Sequence, residues 1–122
     1  MHNARTITEL RATGVKVMIT ELDVNLLPPA GPAAPGQPSS PDSNPYANGL
    51  PDDVQEGLAR YYADAFRVLL KHRDAISRVT FWGVSDADSW LNRGRVNHPL
   101  LWVRQRQPKP AFDRVVAVLT AR

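Results

Sequence analysis

The 122-residue chain lacks several features that would point to particular kinds of site. It contains no cysteine, so a disulfide framework and a thiolate zinc site are both excluded. Its three histidines, His2, His72 and His98, are scattered and give metal binding little support. No apolar run reaches the roughly 18 residues of a membrane-spanning helix, and residues 1–10 lack the apolar core of a signal peptide. We therefore expect a soluble protein with no metal, no cofactor and no membrane partner.

A concentrated basic segment is also missing. The chain has 15 Lys and Arg against 12 Asp and Glu, a formal net charge of +3 and a pI near 9.7, and its cations are spread along the sequence. Nucleic-acid-binding surfaces usually cluster their cations and interleave aromatic residues. We expect no nucleic-acid partner. A basic adhesion or nucleic-acid module remains an alternative, and salt-dependent binding to a polyanion would favour it.

Hydrophobic spacing predicts three helices that alternate with two strands. The predicted helices cover residues 4–13, 51–73 and about 110–119, and the predicted strands cover residues 15–24 and 77–86. In the last helix the residues expected to face inward are Phe112, Val115, Val116 and Leu119. Residues from about 25 to 50, between the first strand and the second helix, contain most of the prolines and show neither helical nor strand periodicity. They are therefore predicted to form a long loop.

This order predicts an α/β fold with parallel strands. Two neighbouring strands joined by a crossover helix lie parallel, and the right-handed crossover brings both strand ends to the same side. The carboxyl ends of such strands are where these folds place their chemistry. The residues at the two strand ends are therefore candidates for a site.

The first predicted strand ends in two carboxylates. Strict alternation places Glu21 and Asp23 on the same face as Val17 and Ile19. On the second strand, Trp82 would meet Glu21 at the mouth of a barrel if both faces pointed inward. A carboxylate beside an indole suits sugar chemistry, because the carboxylate can attack an oxocarbenium-like carbon while the indole stacks on a pyranose ring.

The segment after the second strand contains a further aromatic residue. Trp90 lies in a polar stretch where core packing does not need it, which indicates a binding surface. The nearby Asp86 and Asp88 are interpreted as turn residues because of their Ser and Ala neighbours. A plainer interpretation stays open, in which Glu21 and Asp23 are simply the solvated end of a strand and Trp82 is a core aromatic.

Three segments together resemble a known family. "GVKVMITELDV", "YADAFRVLLKHRDAISRVTFWGVSDADSWL" and "QPKPAF", in this order, closely resemble the C-terminal part of glycoside hydrolase family 10, the endo-β-1,4-xylanases built on a TIM (β/α)8 barrel. The resemblance covers nearly the whole chain apart from the Pro-rich loop. It implies that residues 1–122 are a partial family 10 catalytic domain, with about the last two βα units of the barrel.

The resemblance also implies roles for the residues at the strand ends. Glu21 matches the family's catalytic nucleophile at the end of the seventh strand, and Asp23 matches a carboxylate that supports the hydrogen bonds near that nucleophile. Trp82 matches the aromatic floor at the cleaved sugar, and Trp90 matches the aromatic that covers the neighbouring glycone subsites. These are candidate catalytic and substrate-binding residues, with no metal among them.

The chain departs from the family pattern in what it lacks. The family's general acid/base Glu, on the fourth strand, has no counterpart here. A retaining glycosidase needs two carboxyl groups about 5 to 5.5 Å apart. The function we expect is therefore that of a fragment of a retaining endo-1,4-β-xylanase, which acts on xylan or xylo-oligosaccharide and needs the missing N-terminal part of the barrel. The resemblance implies a secreted or periplasmic parent enzyme. The alternative is a non-catalytic remnant that binds xylan.

Overall fold

Helices and strands alternate along the chain in the predicted order. The computed structural model describes residues 2–29 and 44–121. Its elements, in chain order, are α1 (His2–Ala12), β1 (Val17–Leu22), α2 (Asp52–Lys71), β2 (Ile76–Phe81) and α3 (Pro110–Thr120). Two single 3₁₀ turns, Asp86–Asp88 and Trp90–Asn92, lie between β2 and α3. Both strands are shorter than predicted, and Trp82 follows the last residue of β2.

The element boundaries carry the expected local signals. Gly14 ends α1 with a φ of +82°, a backbone conformation that glycine adopts without the strain of a Cβ. Pro51 precedes α2 with a φ of −58°, and Asp52 and Asp53 occupy its first turn, where carboxylates complement the positive end of the helix dipole. Pro110 begins α3, a position at which the missing N–H costs nothing.

The two strands form a parallel sheet, as predicted. Val17 pairs with Ile76 at one end and Leu22 with Phe81 at the other. The crossover from β1 to β2 runs through α2, so the carboxyl ends of both strands lie at the same edge. At this edge the Trp82 backbone N–H donates to Leu22 O at 3.1 Å, which continues the pairing one residue past β2.

One face of the sheet packs on a core to which α2 and α3 both contribute. The main buried cluster consists of Leu58, Ala59, Tyr62, Phe66, Leu101, Ala111 and Val115. Phe81 and Leu22 pack on it from the sheet, and Phe81 stacks on Phe66 with ring centroids 5.9 Å apart. The opposite face of the sheet leaves large apolar side chains exposed, including Met18 and Trp82.

The prediction for α3 was wrong at two of its four inward residues. Val115 is buried, and Phe112 packs against Trp102, but Val116 and Leu119 are 40% and 50% exposed. The buried stripe runs instead through Ala111 and Val115, four residues apart, because that is the face that α3 turns toward the core. The sequence also has apolar residues on either side of this stripe, so the sequence alone does not show which of them are buried.

Much of the predicted long loop lies outside the described residues, namely residues 30–43. Its described ends, residues 25–29 and 44–50, contain no helix or strand. Arg95 ties the first of these ends to the segment after β2, since its guanidinium donates to Pro28 O at 3.0 and 3.1 Å. Within the described ranges no helix is long and apolar enough to cross a membrane.

Candidate active site

An irregularity in β1 decides which way its last residues point. Val17, Ile19 and Leu22 all line one apolar cavity of about 420 Å³ beneath α1 and α2. Strict alternation would have placed Glu21 there instead of Leu22. The pairing with β2 is shifted between Ile19 and Leu22, because β1 contains one more residue than β2 in this interval. Such an extra residue turns the next side chain to the other face of the strand. The predicted shared face of Val17, Ile19 and Glu21 is therefore wrong.

This irregularity leaves Glu21 outside the apolar layer. Leu22 packs on the core and Glu21 is exposed. On the neighbouring strand Phe81 packs on the core and the next residue, Trp82, is 47% exposed. Leu22 pairs with Phe81 at the carboxyl edge of the sheet. Glu21, which precedes Leu22, and Trp82, which follows Phe81, therefore both lie at this edge.

Asp23 and Trp90 join the two segments that follow the strands. The Trp90 indole Nε1–H donates to Asp23 Oδ2 at 2.8 Å, across 67 residues of sequence. Trp90 is 48% exposed, so its ring is held by one edge while much of its surface stays accessible. A ring fixed in this way can act as a stacking platform, and Asp23 is the residue that orients it.

The negative charge of Asp23 also acts on Tyr62, a member of the main buried cluster. Tyr62 is fully buried, and its hydroxyl donates to Pro99 O. Burial, together with the negative charges of Asp23 and Asp86, raises the pKa of the Tyr62 hydroxyl far above its usual value. The hydroxyl therefore remains a hydrogen-bond donor under all ordinary conditions.

A buried ion pair supports the segment that carries Trp90, and sequence reasoning missed it. Asp86 and Lys109 are 0% and 2% exposed, and the Lys109 ammonium lies 2.8 Å from Asp86 Oδ2. The other carboxylate oxygen of Asp86 accepts the Leu100 backbone N–H at 2.9 Å. Burial lowers the pKa of Lys109, and the hydrogen bond and charge of Asp86 oppose that shift. Asp86 is thus a buried anchor, in addition to beginning the 3₁₀ turn that its neighbours indicated.

Asn92 links this anchor to Trp90. Its side-chain amide donates to Asp86 O at 2.8 Å, and its side-chain oxygen accepts from the Asn97 backbone N–H and from Arg104. Asn92 ends the 3₁₀ turn that begins at Trp90. The position of the indole is therefore set from two sides, by Asp23 at the ring edge and by the Asp86 anchor through the backbone.

The residues at this edge suit a reaction at a sugar ring. In the part of the chain that the structure describes, no three His, Asp or Glu residues come together as metal ligands. An exposed carboxylate, Glu21, lies at the end of β1, one indole follows the end of β2 and a second is held by Asp23. A carboxylate can attack or stabilise an anomeric carbon, and indoles stack on pyranose faces.

Comparison with protein families and curated proteins gives consistent matches. The family model described as Glycosyl hydrolase family 10 matches residues 2–118. "Endo-1,4-beta-xylanase A" of Xylanibacter ruminicola is 39% identical over 114 residues, which cover 86% of this chain and 31% of that protein. "Thermostable celloxylanase" of Thermoclostridium stercorarium is 35% identical over 113 residues, which cover 90% of this chain and 26% of that protein. The chain thus spans about a third or less of these two relatives.

Solved structures extend the similarity to the fold. A GH10 endoxylanase retrieved from a sugarcane soil metagenome superposes with a TM-score of 0.85 at 42% identity, over 94% of this chain and 36% of that one. A mutant structure in complex with xylotriose superposes with a TM-score of 0.75 at 29% identity, over 93% of this chain and 32% of that one. The two βα units described above therefore have the fold of part of a (β/α)8 barrel.

Proposed function

Because this chain belongs to glycosyl hydrolase family 10, we propose that it carries the nucleophile half of the active site of a retaining endo-1,4-β-xylanase. The observation that carries the proposal is the placement of Glu21, which is exposed at the carboxyl edge of the sheet, the edge at which Trp82 follows β2. The hydrogen bond from Trp90 to Asp23 brings a second indole to the same edge. A barrel enzyme uses this edge for its chemistry.

In the proposed reaction Glu21 attacks the anomeric carbon of a xylose unit. A bond forms between a Glu21 carboxylate oxygen and that carbon while the glycosidic C–O bond breaks, and the leaving oxygen takes a proton from a general acid outside this chain. Water then attacks the same carbon and gives a proton to the group that acted as the general acid. The bond between this carbon and Glu21 breaks, which releases the carboxylate. The two inversions retain the configuration of the sugar.

The substrate we propose is xylan or a xylo-oligosaccharide. Relatives named endo-1,4-beta-xylanase support this proposal, as does the structural neighbour that is in complex with xylotriose. Trp82 would form the floor under the sugar that is cleaved, and Trp90 would stack on the neighbouring glycone units. Asp23 would keep the Trp90 ring in place through its indole N–H.

The remaining part of a barrel is the partner that this site requires. The sheet face that carries Trp82 also exposes Met18, and Val84 follows at 72% exposure. In a complete barrel such a face is covered by the other strands, and an uncovered sheet invites association with another chain. The proposed general acid would come from that remaining part.

Substitution of Glu21 in a completed barrel tests the proposal. In a protein that joins this chain to the part of a family 10 xylanase barrel that precedes the sixth helix, called the fused barrel, Glu21→Gln keeps the side-chain shape and removes the attacking charge. We expect kcat to fall by at least ~10⁴-fold, or ~5.5 kcal/mol of transition-state stabilisation, with little change in binding. Asp23→Asn should cost only about 10- to 100-fold, because Asp23 orients groups without bonding to the sugar.

Two controls make the result interpretable. Glu9→Gln, the same change on the exposed surface of α1, should leave kcat unchanged. Azide should restore activity to Glu21→Ala and invert the product, since a small anion can enter the vacated space. If Glu21→Gln stays active while Asp23→Asn does not, the nucleophile assignment is wrong. If the fused barrel binds xylo-oligosaccharide but does not hydrolyse it, the non-catalytic alternative is favoured.

A further inference from the structure

The segment that carries Trp90 is rich in cations and contains no acid. Between Ser89 and Phe112 the sequence has five Lys and Arg residues and neither Asp nor Glu. These cations are Arg93, Arg95, Arg104, Arg106 and Lys109. Such a local excess beside a proposed sugar platform raises the question of which of them are available to a ligand.

Three of the five cations bind other parts of the protein. The Lys109 ammonium pairs with the buried Asp86. The Arg95 guanidinium donates to Pro28 O, and that of Arg104 donates to the Asn92 side chain at 2.6 Å. These side chains hold the segment together, since each of them already donates to an acceptor in the fold. Arg93 and Arg106 remain as candidates for a ligand.

Arg93 lies on the proposed platform itself. Its guanidinium carbon is 4.3 Å from the centroid of the Trp90 ring, which is the distance of a cation–π contact. The residue is exposed, and among the residues that the structure describes no carboxylate forms an ion pair with it. A guanidinium that lies over an indole can still offer N–H groups to a ligand, and its planar fork matches the two oxygens of a carboxylate.

We propose that Arg93 makes the Trp90 platform selective for xylo-oligosaccharides that carry a uronic acid branch. The branch carboxylate would accept two N–H groups from the guanidinium while a xylose unit stacks on the indole. The neutral main chain offers no partner for this charge, whereas a uronic acid is the anionic group that a sugar chain can present here. This inference rests on the proposed function, since it gives Trp90 the role of a sugar platform.

A comparison of two ligands tests the inference. The 122-residue chain is titrated with xylotriose and with xylotriose that carries one glucuronic acid branch, and the indole N–H signals of Trp90 and Trp82 are followed by NMR. The same titrations are repeated by calorimetry in the fused barrel with Glu21→Gln, which removes hydrolysis. We expect the branched ligand to bind about 3- to 10-fold more tightly at low salt, with a preference that shrinks in 0.5 M salt (about a 4 Å Debye length).

Three variants assign the preference to one side chain. Arg93→Gln should remove the preference while xylotriose still binds, and Arg93→Lys should keep part of it, because Lys retains the charge without the planar fork. Arg106→Gln, an equal loss of charge at an exposed site on the same segment, should leave the preference unchanged. A preference that survives Arg93→Gln, or equal binding of both ligands by the parent, overturns the inference alone. If neither ligand binds in either protein, the proposed function itself fails.

Discussion

Replacing Lys109 with Met should strongly destabilise the protein without leaving a large cavity. The Lys109 ammonium uses all three of its protons, on Asp86 Oδ2, His98 O and Leu100 O, each at 2.8 Å. Met keeps much of the side-chain volume and removes the cation. Asp86 would then be a fully buried carboxylate whose remaining donor is the Leu100 N–H, since its other close neighbour, His98 Nδ1, lies 3.5 Å away.

The expected loss follows from the burial of both partners. Removing one member of a buried ion pair typically costs about 3 to 5 kcal/mol, because the other charge is left without compensation. The two carbonyls that also lose a donor place Lys109→Met toward the upper end of that range. A domain of this size is usually stable by only about 5 to 15 kcal/mol, so the loss should be a large fraction of the total.

Urea unfolding of the fused barrel, followed by tryptophan fluorescence, measures this loss. The double variant Asp86→Asn with Lys109→Met should recover at least about 1.5 kcal/mol relative to Lys109→Met, because it no longer buries a charge. Lys71→Met, the same substitution at the exposed end of α2, is the matched control and should change stability by less than about 0.5 kcal/mol. A loss below about 1 kcal/mol for Lys109→Met would refute the reasoning.

Three further results are expected. In the fused barrel, Trp82→Ala and Trp90→Ala should each weaken the binding of xylo-oligosaccharide by about 1 to 3 kcal/mol in calorimetric titration. Unchanged affinity would show that the two indoles do not bind the sugar. The 122-residue chain alone should release no reducing sugar from xylan, because the general acid has no counterpart in it; hydrolysis abolished by Glu21→Gln would contradict this. Because the folded pKa of Tyr62 lies above its usual value of 10.0, the protein should lose stability as pH rises above about 10, where only the unfolded chain ionises, and Tyr62→Phe should flatten this part of the pH profile.

Local patterns in the sequence were sufficient to predict the order of elements and the parallel pairing. The hydrophobic periodicity of an element and the residues that end it, such as Gly14, depend on only a few neighbouring residues. They can therefore be recognised without knowledge of the fold. The side on which Glu21 lies was not predictable in this way, because it depends on how β1 pairs with β2. Its candidacy came from its place at a strand end and from the family resemblance.

The buried ion pair could not be predicted for a different physical reason. Asp86 stands between Ser85 and Ala87, neighbours that usually indicate a solvated turn, and Lys109 lies between two prolines. Lysine and aspartate are rarely fully buried unless they are paired. The partners are 23 residues apart, and only the packing of α3 against the core brings them together. The proline-flanked Lys109 was the one local signal that the position is unusual.

The irregularity in β1 limits where this strand can be cut and rejoined when homologous enzymes are recombined. Ile19 and Leu22 both face the helices, and two residues, Thr20 and Glu21, lie between them. In a regular strand only one residue would separate two side chains on the same face. Deleting Thr20 would therefore restore regular alternation and leave Glu21 as the single residue between them, with its backbone no longer held by the irregular pairing. Crossover points between parent genes should lie before Ile19 or after Leu22. A junction inside this interval must preserve the count of two residues, even where the parental sequences look interchangeable.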